Sequence, residues 1–145
     1  MPSTRAELLD RISSALHVLG ARMSTVFRDE LDALDLSMPM ATALRELDEP
    51  MAMSALAGRL ACDASYITGL ADQLEERGLV RRTADPDDRR VKHLVRTDRG
   101  AKAAADVHER MLRSHPIISP LSDDELGTLV VLLEKAMAAT DETES

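Results

Sequence analysis

Leu8, Leu9, Ile12, Leu16, Leu19, Met23, Val26, Phe27, Leu31 and Leu34 recur at spacings of mostly three and four, the period of one apolar stripe on a helix. The spacing predicts a helix over residues 5–34, with a stripe of about eight turns at 3.6 residues per turn. A small domain needs less than that for its own core, so part of the stripe is expected to face a second subunit. Ser37 is placed to cap a shorter helix that begins near Pro39, turns Met40, Leu44 and Leu47 inward and stops before Pro50. Residues 51–53 read as a short extended link. A helix over 54–60 follows with Leu56, Ala57 and Leu60 as its buried face, and Ala61, Cys62 and Asp63 make a tight break.

Asp63 is placed to cap the next helix, residues 64–77, in which Ile67, Leu70, Ala71 and Leu74 hold the i, i+3, i+4, i+7 spacing of one buried face. Gly78 ends it as a C-terminal glycine. Residues 79–83 and 91–96 are rich in branched and long side chains, and Asp85, Pro86, Asp87 and Asp88 between them read as a turn, so the unit is a β-hairpin with a polar tip. Thr97 precedes a helix running to about Ser114, and Pro116 and Pro120 bracket a connector. Ser122 with Glu125 is a capping box for a last helix whose apolar face is Leu126, Leu129, Val130, Leu133 and Met137. The tail over 141–145 is polar and expected to fray.

Charge changes this picture. The 145 residues carry a formal charge of -8, which taken as a total disfavours a polyanionic partner. Yet Arg77, Arg81, Arg82, Arg89, Arg90, Lys92, Arg96, Arg99 and Lys102 face only Asp85, Asp87, Asp88 and Asp98 within one stretch, a local charge of +5. A basic footprint on an acidic body is what a DNA reader presents; a solvated face with no partner is the bland alternative. Aromatic content is 1%, Phe27 and Tyr66 alone, too little for binding single strands by stacking. The 44% apolar content suffices for one continuous core, so the chain is expected to be a single domain over 1–145. With neither a charged leader before an apolar run nor about 18 uninterrupted apolar residues, a cytoplasmic protein without membrane contact is expected.

Two short helices separated by a three-residue break, the second followed at once by a basic hairpin, are the order of a winged helix-turn-helix. The buried face of the second helix leaves Ser65, Tyr66, Thr68, Gly69 and Gln73 on its outer side. Hydroxyls and an amide there can bond to base edges or phosphates, and Gly69 would permit close approach to DNA or relieve crowding against a neighbouring helix.

These residues carry a resemblance. Leu56-Ala57, Asp63-Ala64-Ser65, Ile67-Thr68, Leu70, Asp72, Leu74 and Glu76-Arg77-Gly78-Leu79-Val80 are similar to the helix-turn-helix of MarR-type regulators. Asp85-Pro86-Asp87-Asp88-Arg89-Arg90-Val91-Lys92, followed by Leu94-Val95, Thr97 and Gly100, is similar to the same family's wing. The resemblance implies a mainly α (α+β) fold of six helices and a small β-hairpin wing. In it, 37–97 is the DNA-binding region, and 5–34 and 98–140 supply the N- and C-terminal dimerisation helices. It implies a sequence-specific double-stranded DNA-binding transcriptional regulator, a homodimeric repressor on a palindromic operator, released by a small phenolic, lipophilic or oxidising signal. Arg90 and Arg89 would then reach the minor groove from the wing tip, a role that suits a weakly hydrated guanidinium. Lys92 would join Ser65, Tyr66, Thr68 and Gln73 in the DNA-binding set, and Asp72 and Asp88 would anchor arginine geometry. The chain departs from the family pattern at Arg96, where an apolar residue commonly precedes the wing-ending threonine, and at Gln73, where an arginine often follows the helix aspartate.

Other residues carry less. Cys62, a lone cysteine, can form neither an internal disulfide nor a thiolate metal site by itself, and fits its position as a small buried residue. His17, His93, His108 and His115 share no short spacing with metal-binding partners, so no metal or other cofactor is expected. His108 and His115 lie seven residues apart on one helix face, as solvated or interface histidines. Met23, Met38, Met40 and Met111 are core residues that could instead line an adaptable cavity for a small aromatic or lipophilic effector. An enzyme lacks its parts here: no glycine-rich phosphate loop, no nucleophile paired with a base, no ligand cluster. The serious rival is a winged-helix protein-interaction module without DNA binding.

Overall fold

The computed structural model describes residues 3–115 and 120–141. Among the described residues stand six helices and three strands: α1 (Arg5–Asp32), α2 (Met38–Glu46), β1 (Met51–Ala52), α3 (Met53–Arg59), α4 (Ala64–Glu76), β2 (Val80–Ala84), β3 (Lys92–Arg96), α5 (Asp98–Arg113) and α6 (Asp123–Asp141). Pro116 and positions 142–145 lie outside the described residues. The chain forms two compact units, Ser24–Met111 and a second comprising Met1–Met23 with Leu112–Ser145.

Helix ends follow local chemistry. Ser37 accepts the Met40 N–H at 3.4 Å and Asp63 that of Tyr66 at 2.8 Å, each satisfying a donor that the first helical turn leaves unpaired. Ser122 and Glu125 close the expected capping box, with Glu125 accepting the Ser122 N–H at 2.8 Å. Thr4 and Glu7 form a second box at the start of α1. The C-termini of α1, α3 and α4 share one device, a left-handed residue (Asp35, Ala61 and Gly78) followed by an N–H that reaches back to a carbonyl of the last turn. Asp35 therefore ends α1 two residues before Leu34, the expected terminus.

In the unit 24–111 the sheet has the antiparallel order β1-β3-β2. Residues 51–53, expected to be only a link, supply a third strand: Met51 and Ala52 pair with Leu94 and His93. The core gathers Leu31, Met40, Leu44, Leu47, Leu56, Ile67, Leu74, Val80 and Leu94, each at most 2% exposed. Burying each such side chain contributes about 1.5–3 kcal/mol, so helices α2, α3 and α4 and the sheet are held as one body. Thr97 joins the wing to α5, its hydroxyl donating to the Gly78 carbonyl at 2.7 Å and accepting the Gly100 N–H. A Cβ on Gly100 would lie 2.0 Å from the Leu79 carbonyl oxygen, so only glycine lets the first turn of α5 approach the start of the wing.

The other unit contains the first part of α1 and all of α6. Leu8, Leu9, Ile12 and Leu16 of α1 are 45–55% exposed, and Val130, Val131, Leu132, Leu133 and Met137 of α6 are 41–65% exposed. The four consecutive apolar residues of α6 point to all sides of the helix, a pattern suited to burial on every face. A single chain does not provide that burial.

Candidate nucleic-acid interface

The buried stripe of Ile67, Leu70, Ala71 and Leu74 fixes the rotation of α4. Ser65, Tyr66, Thr68, Asp72 and Gln73 consequently stand exposed on its other side, with Tyr66 at 48%. Two of the hydroxyls are already engaged. Ser65 donates to Asp63 at 2.7 Å and Thr68 donates to the Ala64 carbonyl at 2.9 Å. In these rotamers both present lone pairs outward and suit a base amino group better than a phosphate. The Ser65 hydroxyl, then the Tyr66 N–H, hold the Asp63 carboxyl below its usual range, so the cap is ionised at neutral pH.

The wing leaves the core at β2 and returns along β3, in the register Val80↔Arg96 to Ala84↔Lys92. Its tip is folded by carboxylates: Asp85 accepts the N–H groups of Asp87 and Asp88 at 2.7 and 3.0 Å, and Asp88 accepts that of Arg90 at 3.0 Å. Asp88 thus anchors the Arg90 backbone. Arg89, Arg90 and Lys92 are exposed, and among the described residues no carboxylate pairs with them. Asp85, Asp87 and Asp88 balance these three charges over the tip as a whole, but with no carboxylate bound to any of the three each side chain stays open to an outside anion.

Arg82 does the opposite. Its guanidinium bonds Asp72 at 2.6 Å and Glu75 at 2.5 Å, and its N–H donates to Glu75 at 3.1 Å. The Asp72 hydrogen bond, ahead of Glu75, raises the Arg82 pKa above its ordinary value, so the charge is permanent. This brace between strand β2 and α4 sets the angle at which the wing leaves the helix. The arginine Asp72 anchors is therefore Arg82, which in the sequence is only one member of the basic stretch. Glu75 carries no signal of its own there, although Asp72 and Glu75 are three residues apart on one helix, a spacing that presents two carboxylates to a single cation.

Residues 36–92, the segment from the end of the first turn to the returning wing strand, match the MarR family model. Over these residues the chain is similar to the MarR family. A candidate transcriptional regulatory protein for the hcr operon of Thauera aromatica is 38% identical over 94 residues, 64% of this chain and 57% of that relative, so the match spans little more than half of the relative's length. Among solved structures, CouR of Rhodococcus jostii RHA1, bound to p-coumaroyl-CoA, is 29% identical, covers 89% of this chain and 93% of its own, and superposes with a TM-score of 0.69. A mutant MarR from E. coli, complexed with operator DNA, shares the fold at a TM-score of 0.71 and 22% identity, covering 92% and 99% of the two chains. Of the two departures from the MarR pattern, Arg96 is accommodated at the base of the wing, where it donates to the Leu44 carbonyl at 2.9 Å and its stem lies against Gly100. Gln73 is exposed on α4.

The remaining candidates are placed as follows. Cys62 is half-buried, with its sulfur 3.9 Å from the Ala57 carbonyl. His93 is paired with Asp85. Among the described residues no group of three metal-ligating side chains occurs, and no helix is long and apolar enough to cross a membrane. Met40 is core, whereas Met38 and Met111 line a groove of about 400 Å³ between α2 and α5, together with Thr42, Arg45, Arg96 and His108. Met23 does not line it.

Proposed function

We propose that the chain is a sequence-specific double-stranded DNA-binding transcriptional regulator, a cytoplasmic homodimer that acts as a ligand-responsive repressor on a palindromic operator. The observation that carries this reading is the pairing of an exposed outer face on α4 with the unpaired Arg89, Arg90 and Lys92, on a wing braced to that helix by Arg82. In this division of labour the helix reads base edges in the major groove, and the wing contacts the neighbouring backbone and minor groove. Tyr66, Ser65, Thr68 and Gln73 would set sequence preference, and the wing cations would supply affinity. A protein of this fold, the E. coli MarR mutant, is complexed with operator DNA, which supports the DNA-binding reading.

For the effector, the groove between α2 and α5 is the site we favour. Its methionines and alanines suit an aromatic or lipophilic body, and Arg45 and Arg96 suit an acidic end. The acyl-thioester complex of CouR supports a ligand of this kind. Such a ligand need only favour a dimer whose recognition helices are wrongly spaced; a coupling of about 1–3 kcal/mol changes affinity roughly 5- to 150-fold.

Chromatography on heparin tests the DNA-binding reading against the rival interaction module. Retention is expected to weaken steeply with salt, because each phosphate-like contact releases counterions. Salt-indifferent behaviour would favour a protein partner instead.

A further inference from the structure

The hairpin register brings His93 and Asp85 together at the neck of the wing, Nε2 of His93 lying 2.9 Å from Oδ2 of Asp85, with the side chains only 26% and 21% exposed. The other oxygen of that carboxylate accepts the N–H groups of Asp87 and Asp88, and the Asp85 N–H donates to the Val91 carbonyl. One carboxylate therefore holds the turn that carries Arg89 and Arg90, and one histidine holds the free end of that carboxylate. The other groups facing His93 are Thr83 opposite on β2, Arg81 two residues away on the same face of that strand, and Ala52 opposite on β1. Arg81 opposes a second positive charge, and Asp85 favours it.

We propose that His93 is a positioning residue for the wing tip: protonated, it clamps Asp85 and holds Arg89 and Arg90 in place, so that DNA affinity rises as pH falls through the histidine range. The inference rests on the DNA-binding reading above. A neutral imidazole carries one N–H and donates to Asp85 in only one tautomer, whereas imidazolium donates from both nitrogens and adds its charge. The N–H groups of Asp87 and Asp88, and then the proximity of His93, keep the Asp85 carboxyl below its usual range, so it is anionic throughout. If the clamped tip is the form that binds, the complex holds more protons than the free protein, and lower pH favours it.

The experiment titrates a fluorophore-labelled mixed-sequence duplex at constant ionic strength, at pH 6 and pH 8, with the parent, His93→Gln and Asp85→Asn. The parent is expected to bind roughly three- to tenfold more tightly at pH 6, the scale of a partly exposed ion pair counted in two subunits. Both variants should lose most of that step. A histidine acting merely as a positive charge would keep its step in Asp85→Asn, and that result would overturn the clamp. NMR spectra without DNA provide a second readout, since the backbone amide signals of Asp87 and Asp88, which Asp85 holds, should move between pH 8 and pH 6 in the parent and stay in place in His93→Gln; signals that stay in place in the parent also overturn it. If the parent binds no duplex at either pH, the DNA-binding reading fails, and the amide signals of Asp87 and Asp88 still decide the clamp.

Discussion

Replacing Arg89 and Arg90 together by alanine is expected to weaken binding to every DNA duplex alike. In the proposed dimer the change removes four cations, and at roughly 1 kcal/mol each the weakening is on the order of 10³-fold. The log-log salt slope should flatten by about 3.6, at about 0.9 for each phosphate no longer neutralised. Both arginines are exposed and neither is braced to the fold, so stability should stay within about 0.5 kcal/mol of the parent. Tyr66→Ala provides the contrast, since a base-reading residue costs about 1–3 kcal/mol of discrimination and leaves the salt slope alone. Titrations of both proteins over a salt series check this. Parental affinity and slope in the double variant would remove the wing from the mechanism.

Placing a charge on the uncovered apolar surface is expected to produce a monomer. Ile12 is 53% and Val131 63% exposed in a single chain, and in a dimer built from α1 and α6 each would be buried without a polar partner for a carboxylate. Ile12→Glu and Val131→Glu should each convert a particle of twice 15.9 kDa into one of 15.9 kDa, read by light scattering at micromolar concentration. DNA affinity should fall on the order of 10²- to 10⁴-fold, because two linked half-sites become two separate binding events. Far-ultraviolet circular dichroism should show the helices retained, since the core around Leu44, Leu56, Leu74 and Leu94 lies in the other unit. A parent that scatters as a stable monomer contradicts the dimer outright.

What was legible in the sequence was mostly local. The caps at Ser37, Asp63, Gly78 and Ser122 are decided within four or five residues, as are the buried stripes of α2 and α4. The wing's two long strands and polar tip could be read for the same reason. What escaped depends on partners set by the fold. The two residues of β1 have no strand pattern of their own and are extended because Met51 and Ala52 find Leu94 and His93. Arg82 looks like any other cation in a basic stretch until the hairpin lays it over Asp72 and Glu75. Asp85 reads as a turn residue and His93 as a histidine without a partner; only the hairpin register pairs them. Met40 and Met38 sit two residues apart yet part company, one into the core and one onto the groove, because the rotation of α2 is set by Leu44 and Leu47.

Selection from a pool of randomised DNA duplexes reaches the function itself. A dimer that presents two copies of α4 to successive major grooves should enrich an inverted repeat whose half-site centres are about one helical turn, 10–10.5 base pairs, apart. The enriched duplex should bind at least about 10³-fold more tightly than a scrambled one. A pool that stays random after repeated rounds, with the parent bound no more tightly to any recovered duplex than to the starting pool, would contradict sequence-specific recognition by this chain.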